Sequence, residues 1–178
     1  FVDILKSESP VKKKALEIGA GAGCISILLE LEKLANKILS IDTNLEAIKL
    51  SQNNAQRLGC TKIDFCINDL FYMEHQYKYD LIISNPPYIS LEEIDGLDTE
   101  VLLYDPLNAL TDYNDGLSFY KYFAKQGRDL LNPKGIMLFE FGGEYQSQKI
   151  QKIFSQAGYQ YKLFNDLNNE PRFICIRL

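Results

Sequence analysis

The chain has 178 residues, of which 46% are hydrophobic and 24% charged. That excludes a disordered protein and allows one sizeable core, so one domain is expected. A formal net charge of −5 lacks the basic excess usual in nucleic-acid binders and counts against a DNA or RNA substrate. No apolar run nears the roughly 18 residues of a membrane span and no signal peptide is visible, so no membrane association is expected.

Short apolar strands alternate with amphipathic helices, the pattern of an α/β domain with a mostly parallel sheet. Lys12 to Lys14 form a basic run expected in a solvated loop, and Lys14 to Ile18 read as the first strand. Glycines follow, then a helix from about Cys24 to Leu34, then a second strand from Lys37 to Asp42. Thr43 and Glu46 fit a capping box for the next helix, with Leu45, Ile48, Ala55 and Leu58 on its apolar face and Gly59 at its end. Ile63 to Ile67 and Tyr79 to Asn85 are the third and fourth strands. From Ile89 to about Asn114 the chain is irregular for longer than most loops, which points to function or to partial helix. Leu117, Tyr120, Ala124 and Leu131 mark a helix stopped by Pro133, ahead of a fifth strand from Gly135 to Phe141. Ile150, Ile153, Phe154 and Ala157 face one way on a further helix closed by Gly158, and strands near Tyr161 to Asn165 and Phe173 to Leu178 finish the sheet.

The cysteines Cys24, Cys60, Cys66 and Cys175 form no C-x-x-C pair and read as reduced core or near-core residues of an intracellular, cytoplasmic protein. His75 is the only histidine and is expected on a surface loop, which leaves neither a metal site nor a histidine-based triad.

Two features point to a nucleotide-like ligand. "EIGAGAGC" sets Gly19, Ala20, Gly21, Ala22 and Gly23 between strand and helix, where glycines allow positive φ and a helix N-terminus faces an anion. Asp42 ends the second strand, placed to accept hydrogen bonds from both ribose hydroxyls. Together they fit a dinucleotide or S-adenosylmethionine, and the G-x-G-x-G spacing leans toward the second. Asp69, in "NDLF", could accept from an adenine amino group. In "LIISNPPYIS" a buried strand ends abruptly at Asn85, and Pro86 and Pro87, each with φ fixed near about −65°, carry the chain away stiffly.

The set "EIGAGAG", "SID", "NDLF" and "SNPPYI" resembles the class I S-adenosylmethionine methyltransferases that act on a planar amide or amino nitrogen. "NPPYISLEEIDGLDTEVLLYDPLNAL", "DGLSFY", "LFEFG" and "DLNNEPR" narrow this to a resemblance to the protein-glutamine methyltransferases of the PrmC/HemK type, which modify the GGQ glutamine of peptide chain release factors. The resemblance implies a Rossmann-like class I methyltransferase fold, a mostly parallel seven-stranded sheet flanked by helices. It also implies S-adenosylmethionine as cofactor, with Gly19 to Gly23 at its methionine part, Asp42 at its ribose, Asp69 and Leu70 bordering its adenine, and Asn85 beside it. Asn85, Pro86, Pro87 and Tyr88 then receive the substrate amide: the Asn85 side-chain oxygen and the Pro86 carbonyl accept its two N–H groups, and Tyr88 packs on it. Leu70 and Asp105 depart from the pattern, standing where the family can carry an aromatic residue and more usually a glutamate. A helical N-terminal domain that helps bind the release factor is implied as well, so residues 1–178 are expected to be the catalytic domain without that part. Rival readings are a nucleic-acid adenine or guanine amino methyltransferase, a nicotinamide-dependent oxidoreductase, a silent binding module, and a glutamine methyltransferase with another protein substrate or an activating partner.

Overall fold

Apolar spacing and glycine punctuation produce the expected alternation of elements in the computed structural model, which describes residues 1–8, 12–74, 77–104 and 106–178. In chain order these are α1 (Val2–Glu8), β1 (Lys12–Ile18), α2 (Cys24–Leu31), β2 (Ala35–Asp42), α3 (Leu45–Arg57), β3 (Ile63–Ile67) and β4 (Tyr79–Ser84). Then come α4 (Leu91–Ile94), α5 (Thr99–Tyr104), α6 (Leu107–Leu110), α7 (Ser118–Leu130), β5 (Leu131–Glu140), α8 (Glu144–Gln156), β6 (Gln160–Asn165) and β7 (Pro171–Arg177). The strands form a seven-stranded sheet in the order β3-β2-β1-β4-β5-β7-β6. β1 pairs in parallel with β2 and β4, and β2 with β3, whereas β6 and β7 are antiparallel. The expectations for His75 and Asp105 lie outside the described residues. The chain divides into two compact units, residues 1–84 with 129–138, and residues 85–128 with 139–178.

In the first unit Leu81, Ile82 and Ile83 of β4 are all 0% exposed. A run buried without alternation is what a central parallel strand requires, because both faces are covered. Lys12 to Lys14 are not a loop but the start of β1: Lys12 is in register with Ala35, and the Lys14 amide donates to Asp80 Oδ2 at 2.9 Å. The Lys14 ammonium lies 3.4 Å from the Tyr77 ring centroid. The cap of α3 is Asn44 rather than Thr43. Asn44 is extended, its side-chain oxygen accepts from the Glu46 amide at 2.9 Å, and its own amide is held by Asp42 Oδ1. The buried face of α3 is therefore Ile48, Ser51 and Ala55, with Leu45 and Leu58 about half exposed. α1 carried no clear sequence signal; it buries Ile4 and Leu5.

In the second unit an aromatic series forms the core, with ring centroids 6.2 Å apart for Tyr120 and Phe139, 4.8 Å for Phe123 and Phe139, and 6.4 Å for Phe139 and Phe154. The inner face of α7 thus carries Tyr120 and Phe123; Ala124 is only half-buried, and Leu131 begins β5 instead of continuing the helix. The long segment after Ile89 is partly helical, holding α4, α5 and α6, and its ends are tied where the Ile89 amide donates to the Leu110 carbonyl and the Leu91 amide to the Asn114 carbonyl, each at 2.9 Å. Asp112 fastens the turn into α7: Oδ1 accepts from the Asn114 and Gly116 amides and Oδ2 from the Ser118 amide, each at 2.9 Å.

Cysteine burial differs from expectation. Cys175 is buried and Cys60 intermediate, but Cys24, the first residue of α2, and Cys66, on the end strand β3, are exposed, and no disulfide joins any of the four. No helix among the described residues is long and apolar enough to cross a membrane.

Candidate active site

The first unit contains the glycine loop. Leaving β1, the chain turns through Gly19, Gly21 and Gly23, all at positive φ, into α2. Gly23, with φ +83°, cannot carry a Cβ, which would lie 2.9 Å from the Ser51 Cβ. Gly21 has φ +52° and nothing within 4 Å of the Cβ position, so the backbone here borders open space. Asp42 is tied directly to this loop, since its Oδ2 accepts from the Gly21 amide and its Oδ1 from the Asn44 amide, each at 2.9 Å. A carboxylate offers about four acceptor positions, so hydrogen-bonding capacity remains on both oxygens. The Asn54 side chain holds the loop from α3, donating to the Ala22 carbonyl at 3.0 Å. Ala20 is buried beneath the loop. Asp69 Oδ1 accepts from the Phe71 amide at 2.9 Å; Leu70 is 2% exposed, and its neighbour Phe71 is 43% exposed.

Sequence reasoning missed Glu17, one residue before Ile18 in β1. Its side chain is 0% exposed; the Ser40 hydroxyl donates to Oε2 at 2.5 Å, and Oε1 has no hydrogen-bond partner among the described residues. Burial pushes this carboxyl up to about 7, against the opposing effect of Ser40 and Ser26 and with some help from the Asp42 charge. The alternation of "KALEI" puts Glu17 and Ala15 on one face, which was the available signal.

The second unit begins at Asn85, the residue after β4, and carries the rest of the predicted site. Asn85 is exposed, Pro86 buried, and Pro87 and Tyr88 half-buried. The Tyr88 carbonyl accepts from Gln146 Nε2 at 2.8 Å, and Gln146 Nε2 also donates to the Gly116 carbonyl at 3.1 Å. Burial holds the Tyr88 hydroxyl above its usual range and the Glu140 charge adds to this, while Arg172, by charge and hydrogen bond, pulls the other way. Tyr88 also lines a cleft of about 590 Å³, together with Leu91, Leu97 and Tyr145. Its charged lining is Glu92, Glu93 and Asp115 against Lys149.

The sequence profile of the methyltransferase small domain family matches residues 1–113. A Fusobacterium nucleatum protein named release factor glutamine methyltransferase is 40% identical over 164 residues, covering 91% of this chain and 46% of that protein. A Bacillus subtilis protein of the same name is 34% identical over 168 residues, covering 92% and 58%. The chain thus spans about half the length of these curated relatives. A crystal structure of a methyltransferase from Pyrococcus furiosus superposes with a TM-score of 0.74 at 17% identity, over 98% of this chain and 79% of that one, which supports the Rossmann-like fold.

Proposed function

Because the chain belongs to the methyltransferase small domain family, we propose that it transfers a methyl group from S-adenosylmethionine to the side-chain amide nitrogen of a protein glutamine, with peptide chain release factors as substrate. The observation that carries this is Asn85-Pro86-Pro87-Tyr88 following the buried run Leu81 to Ser84, with Asn85 exposed while Pro86 is buried. The names of the relatives at 40% and 34% identity support the release factor as substrate. In this reading the reaction is cytoplasmic.

The residues of the first unit fit the cofactor. Open space at Gly21 lets a ligand approach the loop backbone, and the acceptor capacity left on Asp42 suits ribose hydroxyls. In this reading Gly19 to Gly23 hold the methionine part, Asp42 the ribose, and Asp69 and Leu70 border the adenine. When bound, S-adenosylmethionine supplies the electrophilic methyl group. The protein's task is to present the amide nitrogen, a poor nucleophile because its lone pair is delocalised into the carbonyl. The Asn85 side-chain oxygen and the Pro86 carbonyl accept the two N–H groups, orient the nitrogen and favour localisation of that lone pair. Positioning and electrostatics then carry the rate, with no strong base needed before attack. The prolines restrict motion of both acceptors. Glu92, Glu93 and Asp115 around the cleft would repel a phosphate backbone, which favours a protein substrate over nucleic acid.

Asn85→Ala tests the reading. One of two acceptors is lost, and single-turnover methyl transfer to release-factor glutamine falls by about 100- to 1,000-fold. Cofactor affinity by calorimetry stays within a few-fold of wild type. Near-normal transfer by the variant would show that other groups hold the amide, and transfer by the wild type to DNA or a ribosomal protein in preference to release factor would overturn the substrate.

A further inference from the structure

Gln146, in the first turn of α8, belongs to none of the residues read above as binding cofactor or amide, yet every hydrogen-bonding position of its side chain that matters is committed to backbone around Tyr88. Nε2 donates to the Tyr88 carbonyl at 2.8 Å and to the Gly116 carbonyl at 3.1 Å, and Oε1 accepts from the Gly142 amide at 2.7 Å. Three separate stretches of chain converge on one amide: the end of the Asn85–Tyr88 path, the turn before α7 and the turn after β5.

The two glycines show how closely the stretches approach. A Cβ on Gly116, which has φ +72°, would stand 2.1 Å from the Tyr88 carbonyl oxygen, and a Cβ on Gly142 would stand 3.2 Å from the Tyr88 ring. Tyr88 is thus enclosed by backbone at both its carbonyl and its ring, and the Gln146 amide joins the enclosing segments. At its other end the Asn85–Tyr88 path is continuous with β4. A carboxamide alone meets the requirement here. Glutamate has no donor for the Tyr88 and Gly116 carbonyls, lysine and arginine have no acceptor for the Gly142 amide, and leucine has neither.

We propose that Gln146 is the positioning residue that fixes Tyr88, and with it the path from Asn85, in the geometry needed for methyl transfer; the proposal rests on the glutamine-methyltransferase reading of that path. Set on a helix, the amide is held more rigidly than a loop residue would be. Displacement of a substrate-positioning group by about 1 Å is enough to cost about 100-fold in rate.

The test uses Gln146→Glu, with Gln146→Leu and Gly142→Ala as independent variants should the first fail to fold. Each is compared with wild type for kcat and KM toward purified release factor, for S-adenosylmethionine affinity by calorimetry, and for amide hydrogen exchange across residues 85–91. Expected is a fall in kcat of about 100-fold, with KM and cofactor affinity within about threefold of wild type. Faster exchange confined to residues 85–91 and the turns at Gly116 and Gly142 should accompany it, with the Phe123 and Phe154 segments unchanged. Wild-type kcat and unchanged exchange in the variants would overturn the proposal, as would a loss shared evenly between thermal stability and every exchange segment, the signature of a merely structural role. If wild type fails to methylate release factor while the variants still loosen residues 85–91, the clamp stands and the substrate reading falls.

Discussion

Replacing Glu17 by glutamine should change how stability depends on pH, and the size of the effect follows from burial. The folded-state carboxyl titrates at about 7 against an ordinary value of 4.5, chiefly because desolvation disfavours its charged form. Its folded pKa is raised, so the folded chain holds a proton that the unfolded chain has released between pH 4.5 and about 7. Stability associated with this group is fully present below pH 4.5 and is lost as pH rises through about 7. A pKa unit is worth about 1.4 kcal/mol, so the span from 4.5 to about 7 corresponds to about 3 kcal/mol. Glutamine keeps the shape and an acceptor for the Ser40 hydroxyl, and it does not titrate. Urea unfolding at pH 5 and pH 8 should therefore show wild type losing about 2 to 3 kcal/mol relative to Glu17→Gln between the two conditions, since a little of the effect is already gone at pH 5. Glu140, also raised by burial, titrates in both proteins and cancels in the comparison. Parallel pH profiles for the two proteins would refute the reasoning, because they would mean that Glu17 is ionised in the fold at no cost.

Asp42→Ala removes the acceptors proposed for ribose and releases the Gly21 and Asn44 amides, so S-adenosylmethionine should bind at least about 1.5 kcal/mol more weakly by calorimetry; unchanged affinity would move the ribose site elsewhere. Asp112→Ala leaves the Asn114, Gly116 and Ser118 amides without their acceptor and should cost about 2 kcal/mol in urea unfolding at pH 7. Burial pushes the Asp112 carboxyl up, but hydrogen bonds from Ser118, Gly116 and Asn114 outweigh it and hold it below 3.8. The contribution of Asp112 is thus present above pH 3.8 and disappears as pH falls through the lower folded value, so the deficit of the variant should vanish in strong acid.

Local rules made much of this molecule legible. The unbroken apolar run at Leu81 to Ile83 announced a strand covered on both faces, and Gly59 ended α3 at φ +73° as its position suggested. Thr43 misled because Thr and Asn are adjacent and both make good caps; Asp42 holding the Asn44 amide decided between them. Cys24 and Cys66 misled because apolar neighbours in sequence do not share their fate at a helix start or on an end strand. Gln146 was illegible for another reason. Its partners Tyr88 and Gly116 are 58 and 30 residues away, and a polar residue in the first turn of a helix otherwise reads as solvated.

The sheet order also sets a schedule for synthesis. β1 leaves the ribosome first among the strands, and β2 follows within a short loop and helix, but its other neighbour is distant: Ala15 pairs with Leu81, and the Lys14 amide waits for Asp80, 66 residues on. At about 5–20 residues per second this is a delay of about 3 to 13 s, during which one edge of β1 has no partner. The nascent chain therefore passes through a stage with β1 to β3 made and a hydrophobic edge open, the stage at which a chaperone or a stray strand would find it. Only when β4 arrives is that edge closed, and residues 85–88 are the next to be made.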